Sequence, residues 1–402
     1  MDNINIKTNN NFKNYKYSKN YAYSIINNLK EKYSFELNKV KREYEFISMK
    51  YNKSKMRKCM DNQKKLIIDI INDVINYYPD LKKSDFIMLN GSYSRCTNIF
   101  TSDLDFNILY NDKYKKLLFP IELHINYVLT KILNYRGCDR IHTIMVYTPL
   151  IKNKRVKFVN NSVIKYNFKK IPYFCRENYE KLLYETFNTS RNYKNLIKYI
   201  KSYSYNNSIC NEWANNFELI KDFGKYKDFA KEILINDNYV SKCKNYKNLI
   251  IKEIDYILHD IRNSKNIEQK EVVVIKDFKY SCKECPMKIL YKTLSILSRI
   301  NNINTVNIKY LYSKKIINNS LDDSIHYYLH SILRLQLILD LYGLDLSSHS
   351  SKIINSSTLE KKYYEKYDES LYFITNKSIA NLYNNIISTL QKERSKLIWK
   401  IL

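Results

Sequence analysis

Four glycines in 402 residues leave this chain few places where the backbone can turn left-handed or meet another group without a Cβ in the way. That scarcity excludes a P-loop, which needs two glycines five residues apart ahead of its Lys-Ser/Thr pair. One glycine, Gly91, lies inside FIMLNGSYSRCTNIFTSDLDFNILY (86–110), between two apolar runs. After eleven intervening residues, two aspartates stand at alternate positions, Asp103 and Asp105.

The runs 86–89 and 104–110 read as short strands flanking the Gly91 segment. Residues i and i+2 share a strand face, so Asp103 and Asp105 are expected to project side by side. Two carboxylates that close repel each other, and a divalent cation relieves the repulsion. Mg²⁺ takes a few carboxylate oxygens together with substrate phosphates. A pair of such ions can activate an attacking hydroxyl and neutralise a leaving pyrophosphate. A Gly-Ser at a strand end lets backbone amides face a phosphate. The Ser92 hydroxyl adds a donor, and Arg95 one turn on offers a planar fork. Each part alone has a plainer reading, a hairpin with a glycine turn and two surface aspartates. Strand, Gly-Ser, the spacing and Ser102-Asp103-x-Asp105 together are far more specific.

The stretch GSYSRCTNIFTSDLDFNIL resembles the nucleotidyltransferase signature of the protein-PII uridylyltransferases and the adenylyltransferases of glutamine synthetase. Their pattern runs Gly-[Gly/Ser]-Tyr-[Gly/Ser]-Arg-x-Glu-x4-Ser-Asp-x-Asp. Gly91, Ser92, Tyr93, Ser94, Arg95, Ser102, Asp103 and Asp105 match, and Thr97 stands where the family usually has Glu. The resemblance implies a polymerase β-like α/β domain with a mixed sheet, in which Asp103 and Asp105 are catalytic and bind Mg²⁺ (or Mn²⁺). It also implies that Gly91, Ser92, Arg95 and Ser102 bind the nucleotide. Two later stretches resemble helical regions of such proteins more faintly, around Ile275-Lys276 and in YYLHSILRLQLILD (327–340) with Arg334 and Gln336; ordinary core helices would read the same way. The family's third carboxylate has no clear counterpart, Asp139 and Glu122 being the candidates.

Around this segment the expected class is α+β. Residues 1–20, rich in Asn, Lys and Tyr, read as a loose N-terminus. Residues 21–165 read as a helical lead-in plus the nucleotidyltransferase domain, and 166–402 as a large helical domain. Ile67, Ile71, Val74 and Tyr78 recur with helical period, and Pro79-Asp80 closes that helix. A helix is expected after Pro120 (121–134) and a strand over 140–146. Ile250, Ile254, Ile257 and Ile261 make a second stripe; Ile325, Tyr328, Ile332, Leu335 and Leu339 make a third.

The formal charge of +28 suits an anionic partner, although Lys, Asn, Ile and Tyr are inflated together as A/T-rich coding would inflate them. Eight scattered cysteines do not form a disulfide framework, and the single CxxC, Cys282 to Cys285, lacks a second pair for zinc. His326 and His330 share a helical face, yet no acidic third ligand stands out. No apolar run of ~18 residues predicts a membrane span, and no apolar leader is evident, so a cytoplasmic protein without a membrane partner is expected. Four functions compete: NMP transfer from an NTP to a protein side chain, the same transfer to an RNA 3′ end, the same transfer to a small molecule such as an aminoglycoside, and non-enzymatic binding on a transferase fold. The signature favours the protein acceptor. The charge and the tyrosines, which stack on bases, favour RNA.

Overall fold

The computed structural model describes residues 19–89, 91–100, 102, 104–110, 114–133, 141–142, 157–159, 163–165, 218–224, 226–227, 246–267, 285–303, 305–341 and 356–399. Its elements follow in the order α1 (Lys19–Met49), α2 (Lys53–Asn76), a 3-10 turn (Pro79–Lys83), β1 (Phe86–Leu89), α3 (Gly91–Arg95), β2 (Leu104–Leu109), α4 (Lys115–Leu133) and β3 (Ile141–His142). A small pair, β4 (Lys157–Val159) and β5 (Val163–Lys165), and strand β6 (Glu218–Asp222) come next. The helices α5 (Tyr246–Ile267), α6 (Cys285–Ile300), α7 (Ile308–Ser313), α8 (Asn319–Leu341), α9 (Ser356–Tyr367) and α10 (Leu371–Trp399) complete the order. The described chain is thus α+β, mostly helical around a small sheet.

The expected helical run beginning at Tyr21 is two helices. The chain breaks at 50–52, where the Asn52 side chain accepts the Lys55 N–H at 2.9 Å and starts α2. The predicted stripe Ile67, Ile71, Val74 and Tyr78 is buried throughout, and each such isoleucine contributes roughly 1.5–3 kcal/mol by leaving water. Helix α2 stops at Asn76 with Tyr77 as its C-cap, two residues before Pro79. The helix expected after Pro120 begins earlier, at Lys115. Pro120 sits inside it, beyond the first turn, where proline removes the ladder bond to the Lys116 carbonyl and crowds that carbonyl.

Strand β1 is buried at all four residues, as its unbroken apolar run requires of a strand covered on both faces. It pairs antiparallel with β2 on one side and with β6 on the other, and β3 adds to β2 in parallel, giving the order β3-β2-β1-β6. Of the strand expected over 140–146, only Ile141–His142 falls among the described residues. Helix α4 packs against α1 and α2.

Helices α1 and α2 also pack against α8, and one hydrophobic cluster runs from Ala22 to Leu397. Two buried polar groups of α8 finish α1. His330 Nε2 donates to the Ile47 carbonyl at 3.0 Å, while Arg334 donates to the carbonyls of Ser48 at 2.6 Å and Met49 at 2.9 Å. These are last-turn carbonyls that lack helical partners, and a cation is favoured at that end of the helix. Arg334 also pairs with Glu369 and lies over the Tyr367 ring.

Candidate functional site

Leu89 pairs with Phe106 in the antiparallel ladder. The C-terminal end of β1 and the N-terminal end of β2 therefore share one end of the sheet. Gly91 lies two residues beyond Leu89, and Asp105 one residue before Phe106. Backbone register alone brings the Gly-Ser segment and the aspartate strand together, and α3 packs against β2. Asp105 stands opposite His142 of β3. Asp103 lies outside the described residues, as does Asp139.

Gly91 has φ +65°, in the left-handed region, so the one glycine of the motif occupies a conformation that costs other residues roughly 1–2 kcal/mol. Helix α3 then makes a single turn. Ser94 Oγ donates to the Gly91 carbonyl at 2.9 Å. Cys96 N–H donates to the Tyr93 carbonyl at 3.3 Å and Thr97 N–H to the Ser92 carbonyl at 2.9 Å. That pair of bonds is a Schellman closure, and Cys96 takes its left-handed position at φ +58°, where glycine is usual. Tyr93 is wholly buried and roots the turn in the core. Thr97 is 1% exposed and sets its hydroxyl 3.4 Å from the Ser92 carbonyl. It helps close the turn that carries Ser92, itself only half-buried.

The loop from α3 to β2 is pinned by amides. Asn98 Nδ2 donates to the Met60 carbonyl and to Gln63 Oε1, both at 3.0 Å. Gln63 Nε2 donates to the Phe100 carbonyl at 3.2 Å, and Tyr44 donates to Gln63 Oε1 at 2.9 Å. Ser102 is buried and closes a tight turn with Ile99: its N–H donates to the Ile99 carbonyl at 2.9 Å, and its Oγ accepts the Ile99 N–H at 2.8 Å. The serine before Asp103 thus shapes the approach to β2.

Arg95 is 6% exposed, its guanidinium carbon 3.5 Å from the centre of the Tyr291 ring in α6. Next to it, Asn307 Nδ2 donates to the Ser94 carbonyl at 3.2 Å and to Cys96 Sγ at 3.1 Å. Lys64 Nζ reaches the same sulfur at 3.8 Å. Burial pushes the Cys96 thiol up, against the lowering pull of Lys64 and Lys309, so it is no activated nucleophile. Nothing in the sequence pattern marked Tyr291 or Asn307, because each acts across roughly two hundred positions on a segment with its own recognisable motif.

Glu122 is fully buried on α4 and accepts from Tyr110, a residue just past the other end of β2 from Asp105. His326 and His330 serve separate groups. His326 Nδ1 donates to the Asp322 carbonyl at 2.7 Å and its Nε2 accepts from Arg57 at 3.2 Å, whereas His330 holds Ile47. Among the described residues no group of three His, Cys, Asp or Glu side chains could hold a metal. No described helix is long and apolar enough to cross a membrane.

No protein-family model matches the chain, and no curated protein matches it significantly.

Proposed function

We propose that this chain is a Mg²⁺-dependent nucleotidyltransferase that moves an NMP from an NTP to a hydroxyl of a protein side chain. The single observation that carries the reading is the sheet end shared by Gly91-Ser92 and Asp105, because this chemistry needs phosphate donors and metal carboxylates at one spot. The donor set of Asp103 and Asp105, two hard carboxylates at alternate positions, suits Mg²⁺ or Mn²⁺. Such an ion, when bound, neutralises charge on the triphosphate and the departing pyrophosphate.

The backbone of Gly91 and the hydroxyl of Ser92 hold the triphosphate. The acceptor oxygen attacks the α-phosphorus in line, forming a new P–O bond as the bond to the bridging oxygen of pyrophosphate breaks, and the hydroxyl proton passes to solvent. The protein's share is positioning and charge stabilisation. Arg95, over the Tyr291 ring, enters as the anchor of the turn, and Ser102 as the brace ahead of Asp103. A mixed sheet flanked by helices agrees with the polymerase β-like domain that the signature implies. The protein acceptor rests on the likeness to protein-modifying transferases. The charge of +28 favours RNA as the second reading.

The test uses the full chain with each α-labelled NTP, Mg²⁺ or Mn²⁺, and either a protein lysate or total RNA. Protease-sensitive, nuclease-resistant label is expected, and Asp103→Ala with Asp105→Ala should abolish it while the thermal unfolding transition persists. Turnover retained in the double variant removes the transferase reading. Nuclease-sensitive label that weakens steeply with salt moves the acceptor to RNA.

A further inference from the structure

The segment that carries Gly91 and Ser92 cannot hold its shape alone. It is a five-residue helix, far shorter than any helix stable in water by itself, with left-handed residues at both ends. Besides β2 and the core around Tyr93, two residues of the C-terminal half grip it. Tyr291 of α6 supplies the ring under Arg95. Asn307, which precedes α7, supplies the amide that meets Ser94 and Cys96.

The direction of that amide is fixed by a second duty. Asn307 Oδ1 accepts the Tyr310 N–H at 3.2 Å and so caps α7. With the oxygen committed to α7, only the NH₂ group is left to face α3, where a carbonyl and a sulfur both accept. Asn307 N–H in turn donates to Thr305 Oγ1 at 3.1 Å, which steadies the backbone of the capping residue. Two helices therefore meet on one amide, and a shift of α7 is transmitted to Ser94, two residues from Ser92.

We propose that Tyr291 and Asn307 are positioning residues for the phosphate cradle formed by Gly91 and Ser92, a role that rests on the transferase reading above. Through them the C-terminal helical half sets where the cradle stands relative to the aspartate strand. Neither touches the reacting atoms; both act through α3.

The discriminating variants are Asn307→Asp, Tyr291→Leu and Tyr291→Phe in the full chain. Aspartate caps a helix as well as asparagine does, so Asn307→Asp keeps α7 and turns the donor facing the Ser94 carbonyl into an acceptor. Leucine keeps apolar bulk without a ring face, and phenylalanine keeps the ring. Hydrogen–deuterium exchange over 91–97 should rise in Asn307→Asp and Tyr291→Leu, with exchange over 325–340 unchanged. The KM for Mg²⁺-NTP should rise between about tenfold and a hundredfold, with kcat changed far less. Tyr291→Phe should restore both readouts. The two sites use different contacts, so a folding defect at one leaves the other to decide.

Unchanged exchange over 91–97 overturns the proposal whatever the activity, and raised exchange with unaltered KM overturns it as well. A wild-type protein that turns over none of the four NTPs overturns the transferase reading itself, and this role falls with it. That result is seen before any variant is made.

Discussion

The Asn98 amide donates to Gln63 Oε1 at 3.0 Å, joining the loop ahead of the aspartate strand to the middle of α2. Gln63 is 1% exposed and also serves Tyr44 and the Phe100 carbonyl. Its replacement by leucine strands several buried polar groups, each costing about 1–3 kcal/mol. Gln63→Leu should therefore lose on the order of 2–4 kcal/mol in urea denaturation, and Asn98→Leu a comparable amount. A double variant that loses less than the sum of the two would show that they act as one network.

Cys96 holds a left-handed conformation where the Schellman closure usually has glycine. A β-branched side chain there adds crowding, so Cys96→Val should cost about 2 kcal/mol or more. Cys96→Gly relieves the strain while losing the buried sulfur, and should stay within about 1 kcal/mol of the parent. Thermal unfolding of the two variants checks the ordering. With its thiol pushed up by burial, Cys96 should react with a soluble disulfide reagent at pH 8 only as the protein opens.

His330 is kept neutral by burial and then by the nearby Arg334 charge, with its pKa lowered to about 4. A histidine so depressed takes up its proton in the unfolded chain before the folded one. Its contribution is intact above about pH 6.5 and is lost progressively as the pH falls towards about 4, where the folded form protonates too. The loss approaches about 3 kcal/mol across that window. His326, also lowered chiefly by burial, adds in the same direction. His330→Gln keeps a donor for the Ile47 carbonyl and should narrow the stability difference between pH 7 and pH 5. An unchanged difference would assign the acid sensitivity to other groups.

Much of the architecture could be read from local pattern. The stripe from Ile67 to Val74 declared a helix because its period is set by the backbone, and the apolar run Phe86–Leu89 declared a short strand. The α+β class followed from such segments. Helix α4 starts earlier than expected because the lost bond and the crowded carbonyl of an interior proline are outweighed by packing, with Leu118, Ile121 and Ile125 all fully buried around it. At the candidate site, Gly91 carried a legible signal, since only a positive φ or a close approach explains one glycine in so poor a chain. Arg95 and Ser102 were legible as members of a motif but not in their contacts. The ring beneath Arg95 and the turn around Ser102 depend on tertiary neighbours that no local spacing encodes. Tyr291 and Asn307 were invisible for the same reason.

The cap of α1 has a consequence for how the chain is born. The bond from Arg334 to the Ser48 carbonyl spans 286 positions. A ribosome adding about 5–20 residues per second needs roughly 15–60 s to travel that distance. Throughout that interval the last turn of α1 has only water at its carbonyls, and the apolar face awaiting α8 stays uncovered. The earliest helix of the described chain is thus among the last to be completed, and nascent chains arrested before Arg334 should expose α1 to proteases and to chaperones that bind apolar segments.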